Sequence, residues 1–526
     1  MNLIHDAWIP VDRQSGPNQR IAPWQITDTD DPVLGLAAPR PDFNGALLQF
    51  YIGLLQTTCA PATETQWEEW FERPPSPQDL KQHFDAVAEA FYLDGEAPRF
   101  LQDHTLLREA NPAEISIDGL LLDANETHFN KPGKVNCACE NCAALAILAL
   151  QLNSPEGGRG HYTSLRGGGP LTTLVVIEED QRSFWRDLWL NVLNAQTFHS
   201  LNAENSDKSP HRIFPWLAPE KFVKAATKRD IFPVDINGAQ IFWSMPRRIY
   251  LKDPAPTHHC DICGEKTTSG YAGYFTRPAG ISYSNDPVWR HSLSPRYPTD
   301  KTGNNLAFRH PRAGGLTYDL WPSLVLEGYE QHEIAEVIRT FLAHRRLKDI
   351  FEQVRVHAFG YHTKKNKAVC WYEATLPMYL LDEAVREQFT SLVNTLVRSS
   401  EETAKIAQSQ VKQVWFKRPA DAKGDTAFLT QAFFDHTETA FFSQLHQLKE
   451  QLEAGKDGRD SLYSWHKVLR RTALELFDYW TSRGDFETVN PRRIAEARNR
   501  LSGWLNSDKK GLAAVLNITL PKEKAA

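Results

Sequence analysis

The chain has 526 residues, enough for two or more domains, and its net charge is −6 at neutral pH. That balance excludes a protein coated uniformly in nucleic acid, although local basic patches remain possible. No stretch approaches the roughly 18 apolar residues of a membrane-spanning helix, and the opening MNLIHDAWIPVDRQ lacks the features of a signal peptide. We therefore expect a cytoplasmic protein with no membrane partner, whose seven cysteines are metal ligands or free thiols rather than disulfides.

The first 378 residues mix strand and helix patterns. Alternating apolar residues between turn formers predict strands, and apolar residues three or four positions apart predict helices. The main predicted elements are a strand over 3–11, a helix over 44–58 capped by Asn44, a strand over 171–177, a helix over 181–193, a strand over 239–251, a hairpin over 269–284, a helix over 330–350, and two strands over 354–360 and 368–373. They predict a mixed domain over residues 1–378.

Helical periodicity dominates the rest of the chain. Amphipathic helices are predicted over 382–416, 426–453, 460–482 and 490–505. The last of these begins at Asn490–Pro491, an N-cap followed by proline at the first helical position. Four such helices joined by short loops predict a four-helix bundle over 379–526. The predicted fold class is thus a mixed α+β N-terminal domain, with a structural zinc site, followed by an all-α bundle.

Two C-x-x-C knuckles stand more than a hundred residues apart, Cys139 with Cys142 and Cys260 with Cys263. Such knuckles place two thiolates on one ion, so both together can bind one tetrahedral Zn²⁺ and cross-link the fold. Four thiolates close the site to water, which predicts a structural rather than a catalytic ion. The alternatives are two unconnected pairs of reduced cysteines, or a site in which Cys137 replaces Cys139 or His258 or His259 replaces a thiolate. Neither the zinc deaminase pattern nor H-E-x-x-H is present.

A glycine-rich loop lies between the two knuckles. Its sequence Leu165-Arg166-Gly167-Gly168-Gly169-Pro170 has no P-loop lysine and precedes a strand rather than a helix, which excludes the nucleotide-binding loops. Glycines allow a ligand to approach the backbone and its N–H donors closely, and a groove of nucleic acid is one such ligand. The alternative is a strained turn with no ligand.

Two basic features accompany this loop. Lys364, Lys365 and Lys367 surround Asn366 at the tip between the last two predicted strands, and Arg277 occupies a turn after the second knuckle. Such charges are often only solvated, but a nucleic-acid contact is favoured if the tip faces the glycine loop. The arginines of the predicted bundle are either a solvated face or a backbone-binding stripe.

Several segments together resemble the CasA family, the large subunit of the type I-E CRISPR surveillance complex Cascade. They are NLIHDAWIPV, FNKPG with the first knuckle, SLRGGGPLTTL, MPRRI with CDICG, and the helical C-terminal part. The resemblance implies a non-enzymatic subunit beside the 5′ handle of the CRISPR RNA. It implies that the subunit reads the protospacer-adjacent motif (PAM) of target double-stranded DNA and helps start unwinding. The complex then recruits a separate helicase–nuclease. The alternatives are a zinc-dependent nucleic-acid-processing enzyme, or a scaffold that contacts only protein and CRISPR RNA.

The resemblance also assigns site residues. The family's glycine loop corresponds to Ser164, Arg166, Gly167, Gly168 and Gly169, with Ser164 in place of the family's first glycine. The PAM-reading lysine falls near Arg277. The wedge that separates the first base pairs falls within Lys364, Lys365, Asn366 and Lys367, with Lys365 and Asn366 as its candidates. The contact with the RNA handle falls at Phe129 and Asn130, and the zinc ligands are Cys139, Cys142, Cys260 and Cys263.

Overall fold

The computed structural model describes residues 1–96, 98–122, 133–158, 160–178, 183–202, 205, 207, 209–284, 289–345, 347, 352–364, 367–416, 426–482 and 490–520. The chain divides into two compact units. The first contains residues 1–312 and 331–378, and the second contains residues 313–330 and 379–526. The mixed helix and sheet class and the helical character of the C-terminal region are confirmed.

The strands are short except for one hairpin. They are β1 Ile9–Arg13, β2 Gly16–Ile21, β3 Val33–Leu36, β4 Ala113–Ser116, β5 Thr172–Ile177, β6 Arg248–Leu251, β7 Ala255–Pro256, β8 Ser269–Gly270, β9 Gly273–Arg277, β10 Arg296–Pro298, β11 Leu306–Phe308, β12 Val354–Lys364 and β13 Lys367–Pro377. They pair antiparallel as β2-β1-β3, β4-β9-β6, β13-β12-β5, β10-β11 and β7-β8.

The three longest helices lie in the C-terminal part of the chain. They are α1 Pro41–Thr58, α2 Glu64–Glu72, α3 Pro77–Asp85, α4 Glu140–Asn153, α5 Phe184–Trp189, α6 Ala195–His199, α7 Pro210–Ile213, α8 Lys224–Thr227, α9 Pro322–Val325, α10 Glu336–Thr340, α11 Glu383–Trp415, α12 Ala427–Glu453, α13 Arg459–Ser482, α14 Pro491–Leu505 and α15 Leu512–Val515. In the described part of the chain, no helix combines the length and apolar content needed to cross a membrane.

The β13-β12-β5 sheet organises the first unit. All six residues of β5 are buried, which fits its apolar sequence TTLVVI. Helix α1 packs on this sheet so closely that a Cβ atom at Gly45 would lie 2.6 Å from the Trp371 ring. The Tyr361 hydroxyl donates to the Asp42 carboxylate at 2.7 Å and ties β12 to the start of α1. The base of the lysine-rich hairpin is therefore held rigidly.

Several local predictions for this unit are wrong in detail. The strand predicted over 3–11 forms only over Ile9–Arg13, and within the described part of the helix predicted over 330–350 the α-helix covers only Glu336–Thr340. Asn44 does not cap α1, because α1 begins at Pro41 and its N-cap residue is Arg40. The Asn44 side chain instead accepts from the Ala38 N–H at 2.9 Å. The predicted strand over 239–251 is a 3-10 turn followed by β6, because Pro246 lies between them. The predicted hairpin over 269–284 does not form, since β9 pairs with the distant strands β4 and β6 instead.

The second unit is built from four long helices, as the periodicity predicts. Helices α11, α12 and α13 pack against one another, and α14 packs on α11 and α13. Tyr318, from the segment over 313–330, stacks on Phe441 with ring centroids 4.2 Å apart, and its hydroxyl lies 2.9 Å from that of Thr437. Fully buried Trp465 completes this part of the helical core.

Candidate metal centre and nucleic-acid surface

The four knuckle cysteines form one cluster. The sulfur atoms of Cys139, Cys142, Cys260 and Cys263 all lie within 4.8 Å of one another, and all four cysteines are free thiols. The Cys139 and Cys263 sulfurs are 3.9 Å apart. Tetrahedral Zn²⁺ with bonds of about 2.3 Å places its sulfur ligands about 3.8 Å apart. The donor set and its spacing therefore fit a closed four-thiolate zinc site.

Backbone contacts bring the two knuckles together. The Asp261 carboxylate accepts from the N–H groups of Asn136 and Cys137 at 2.8 and 3.0 Å. Ala138 and Tyr271 exchange two backbone hydrogen bonds of 3.0 and 2.8 Å. Gly264 has φ of 74°, and its N–H donates to the Cys260 carbonyl at 2.9 Å, which closes the second knuckle. The cluster is thus preorganised by hydrogen bonds that need no ion.

Hydrogen bonds among the four thiols lower the pKa of some and raise the pKa of others. Hydrogen bonds from Cys139 and Cys142 lower the pKa of Cys260, and a hydrogen bond from Cys142 lowers the pKa of Cys263 to about 7. The same hydrogen bonding, to Cys139 first, raises the pKa of Cys142. Two of the four thiols therefore have a lowered pKa, and a bound divalent cation would favour the thiolate form at all four.

The alternative ligands Cys137 and His259 lie outside this four-cysteine cluster. Cys137 is not among the four, and its sulfur instead packs beside Gly270. His259 points to the Asp261 carboxylate at 3.0 Å. The described residues thus place Cys139, rather than Cys137 or His259, in the cluster, and Cys139 is also the N-cap residue of α4.

The glycine loop, residues 164–169, is a tight turn. The Gly167 N–H donates to the Ser164 carbonyl at 2.9 Å, and the Ser164 hydroxyl donates to the Gly167 carbonyl at 3.0 Å. Gly167 and Gly169 have φ of 85° and 64°, a conformation that glycine adopts without strain. Ser164 is buried and uses its side chain to close the turn.

Neighbouring segments pack directly on the loop glycines. A Cβ atom at Gly168 would lie 2.6 Å from the Pro155 Cα, and one at Gly169 would lie 2.5 Å from the Tyr361 carbonyl oxygen. The Gly169 N–H donates to the Asn153 carbonyl at 2.9 Å. The half-buried Gly168 N–H has no acceptor within the described residues. Close packing by the protein itself thus requires these glycines, and Gly168 keeps a donor available.

Arg166 lies inside the protein rather than on its surface. The residue is 2% exposed, and its guanidinium donates to the Thr172 and Ser294 hydroxyls, at 3.0 Å each, and to the Gln49 side chain. Burial lowers its pKa to about 9. The expectation that this side chain contacts DNA is therefore corrected: Arg166 fixes the turn from behind, against β5 and α1.

The end of strand β12 lies beside the glycine loop. A Cβ atom at Gly169 would also lie 3.1 Å from the Thr363 methyl group, and Thr363 immediately precedes Lys364. Lys364 and Lys367 pair at the ends of β12 and β13 and are exposed. The wedge candidates Lys365 and Asn366 lie outside the described residues.

The turn that follows Arg277 packs against the segment that leads into the glycine loop. The Ala279 N–H donates to the Gly160 carbonyl at 2.7 Å, four residues before the glycine loop. Arg277 itself donates to the Glu109 carboxylate at 3.0 Å. Burial opposes ionisation of Glu109, but hydrogen bonds from Arg248 and Arg277 outweigh it and lower its pKa. Arg277 is thus half-exposed and already paired with a carboxylate.

Phe129 and Asn130, the predicted contacts with the RNA handle, lie outside the described residues.

Arg247, in the MPRRI segment, was not a predicted site residue. It lies between the glycine loop and the Arg277 turn. Its signal in the sequence was weak, because two adjacent arginines before a strand are common in any globular protein.

The fold and site together define a class of protein: a mixed α/β unit with a four-cysteine cluster at the start of α4 and a glycine loop packed beside the end of α4 and a basic hairpin, joined to a helical unit. Residues 2–476 match the family described as CRISPR-associated protein Cse1. The chain therefore belongs to the Cse1 family, which confirms the resemblance seen in its motifs.

Solved structures share the fold over nearly the whole chain. Thermus thermophilus CasA (Cse1) is 16% identical, with a TM-score of 0.65 over 95% of this chain and 99% of that chain. Thermobifida fusca Cse1 is 14% identical, with a TM-score of 0.67 over 99% of both chains. A chain of a CRISPR RNA-guided surveillance complex is 14% identical, with a TM-score of 0.66 over 96% of this chain and 99% of that chain.

Proposed function

We propose that this chain is a non-catalytic subunit of a type I-E Cascade, an RNA-guided surveillance complex in the cytoplasm. In this proposal it reads the PAM of target double-stranded DNA and helps to nucleate unwinding and R-loop formation. Its partners are the other Cascade subunits, the 5′ handle of the CRISPR RNA, target DNA, and a helicase–nuclease that acts after the R-loop forms. Family membership and a shared fold with a chain of a surveillance complex support this assignment.

One observation carries the DNA-reading part of the proposal: the glycine loop packs directly against β12, one residue before the lysine-rich tip. The open N–H of Gly168 and the exposed Lys364 and Lys367 thus belong to adjoining segments. The minor groove of DNA presents mainly acceptors in a degenerate pattern, so backbone donors and a few cations give tolerant readout there. A narrow surface of this kind suits PAM recognition on an otherwise acidic protein.

The hairpin also suits a role in opening the duplex. Its two strands are eleven residues each and leave only Lys365 and Asn366 between them. Because Lys364 pairs with Lys367 at the strand ends, only two residues would have to be ordered when the tip enters between base pairs. Opening a base-pair step costs about 1–2 kcal/mol, which RNA–DNA pairing nearly balances as the R-loop grows. The tip therefore needs only to hold the first opened step.

Zinc has a structural role in the proposal. One ion held by Cys139, Cys142, Cys260 and Cys263 supplies a cross-link between α4 and the knuckle before β9. With four thiolates no position is left for water or substrate, which favours a binding subunit over a zinc enzyme. Phe129 precedes the first knuckle in the chain, and we propose that it and Asn130 contact the RNA handle region.

A lysine substitution tests the proposal in the assembled complex. Cascade reconstituted with Lys364→Ala and Lys367→Ala together is expected to bind a matched, PAM-containing duplex at least tenfold more weakly. Lys509→Ala with Lys510→Ala, an exposed pair in the second unit, is the matched control and leaves binding unchanged. Binding that is equally tight in both variants would favour the scaffold alternative. Nuclease activity of the purified chain that is lost with the metal would favour the enzyme alternative.

A further inference from the structure

Arg247 and Arg248 are adjacent, but only Arg248 is neutralised within the protein. The Arg248 guanidinium lies 2.6 Å from the Asp103 carboxylate and also contacts Glu109. No carboxylate of a described residue is within ion-pair distance of Arg247. Its guanidinium donates instead to the neutral carbonyl of Pro155. Arg247 therefore brings an unbalanced positive charge to this part of the molecule.

The Arg247 guanidinium is also incompletely hydrogen-bonded. Its Nε is buried and has no acceptor among the described residues. Burial lowers the pKa of Arg247 to about 10, so the side chain stays charged at neutral pH. A partly desolvated cation with a spare donor is costly unless an anion or water approaches it.

The position of Arg247 shows where such an anion would lie. The residue Gly157 is exposed, and a Cβ atom there would lie 2.7 Å from an Arg247 terminal nitrogen, so the missing side chain leaves the guanidinium near the surface. Pro155, its carbonyl acceptor, packs on Gly168. On the other side, the Arg247 backbone adjoins Gly280, at the end of the Arg277 turn. The charge thus lies between the glycine loop and that turn.

We infer that Arg247 binds a backbone phosphate of the target duplex beside the PAM, between the groove contacts of the glycine loop and the Arg277 turn. This inference rests on the proposed function. A planar guanidinium matches phosphate oxygens in charge and geometry better than an ammonium does. A phosphate contact positions the duplex and carries no sequence information, so it adds affinity without changing which PAM is preferred.

The test measures binding of the reconstituted complex to a PAM-containing duplex over a series of salt concentrations. Arg247→Met removes the charge and keeps much of the side-chain volume, whereas Arg247→Lys keeps the charge and changes the hydrogen bonding. Arg247→Met is expected to weaken binding about tenfold at low salt. It also reduces the slope of log affinity against log salt by about 0.9, the value for one phosphate contact. Arg247→Lys is expected to keep the wild-type slope, and both variants keep the wild-type ranking of PAM sequences.

Two results would overturn the inference. One is an Arg247→Met complex with wild-type affinity and slope. The other is an equal loss for the Met and Lys variants at unchanged slope, which indicates that Arg247 only supports the loop through Pro155. Arg229→Met, which removes an exposed arginine paired with Asp235, controls for charge loss elsewhere. Failure of the proposed function is seen separately, as wild-type complex that binds duplexes with and without a PAM equally.

Discussion

The backbone of Gly169 lies directly on that of Tyr361: a Cβ atom added to Gly169 would stand 2.5 Å from the Tyr361 carbonyl oxygen. Gly169 also has φ of 64°. This contact packs the glycine loop directly on the strand that leads into the hairpin tip, so the two candidate DNA-reading segments share one interface.

Gly169→Ala is therefore expected to destabilise the first unit by about 2–4 kcal/mol, through backbone strain together with the clash against Tyr361. Denaturant unfolding of the purified chain measures the loss. Gly95→Ala is the matched control, because Gly95 has φ of 91° and nothing within 4 Å of an added Cβ atom. It should cost only about 1 kcal/mol. Equal losses in the two variants would show that the Tyr361 contact is unimportant.

Removal of the proposed zinc ion is expected to unfold or loosen the first unit. Cys139→Ala should abolish the single bound zinc, cost at least about 3 kcal/mol and lower Tm by roughly 5 °C or more, since binding energy at such sites is folding energy. Metal content and thermal unfolding provide the measurements. Cys137→Ser and the exposed Cys370→Ser should keep one zinc per chain. Loss of zinc in Cys137→Ser would mean that the ligand set is wrong.

Arg166→Met tests whether the buried arginine holds the glycine loop. The substitution leaves the Thr172 and Ser294 hydroxyls and Gln49 without their donor, and should cost about 2–3 kcal/mol. It should also weaken PAM-dependent binding, although Arg166 does not reach the surface. The comparison is Arg229→Met, which loses an exposed ion pair worth at most about 1 kcal/mol. A stable Arg166→Met protein with weakened DNA binding would instead indicate direct contact.

Glu109→Gln tests the pairing of Glu109 with both Arg248 and Arg277. The Glu109 pKa is lowered in the folded protein from its ordinary value of 4.5. Its stabilising contribution is therefore complete above that value and is lost as pH falls through the lowered folded value. At pH 7 the variant should be less stable by about 1 kcal/mol, because the pair is partly exposed. The difference from wild type should shrink as pH falls through that lowered pKa. Glu68→Gln, at an exposed position of α2, is the control for the loss of a carboxylate elsewhere.

The sequence predicts the helical unit well because its determinants are local. All four long helices begin and end within one residue of their predicted limits. Asn490 caps α14 as predicted, accepting from the N–H groups of Arg492 and Arg493 at 3.0 and 3.3 Å. Apolar periodicity and capping residues carry this information within a few turns of chain. The C-x-x-C spacing likewise predicts the cysteine cluster, because few other arrangements use paired knuckles.

The first unit is harder to predict because its pairing is not local. Strand β9 finds its partners in β4 and β6, which are distant in the chain, so a hairpin inferred from nearby aromatic and turn residues is wrong. The position of Arg166 next to glycines in the sequence predicts a cation on the surface. Its burial depends on acceptors from Gln49, Thr172 and Ser294, which only the folded chain brings together. The environment of Arg247 is likewise set only by the folded chain, which places carboxylates beside Arg248 but none of the described carboxylates beside Arg247.

Binding of target DNA by the complex is expected to depend on the PAM only when this chain is present. The most direct test measures binding of Cascade, reconstituted with and without this subunit, to a library of matched duplexes that differ only in the PAM positions. We expect the full complex to enrich a limited set of PAM sequences and the complex lacking the subunit to enrich none. Identical enrichment with and without the subunit would contradict the account.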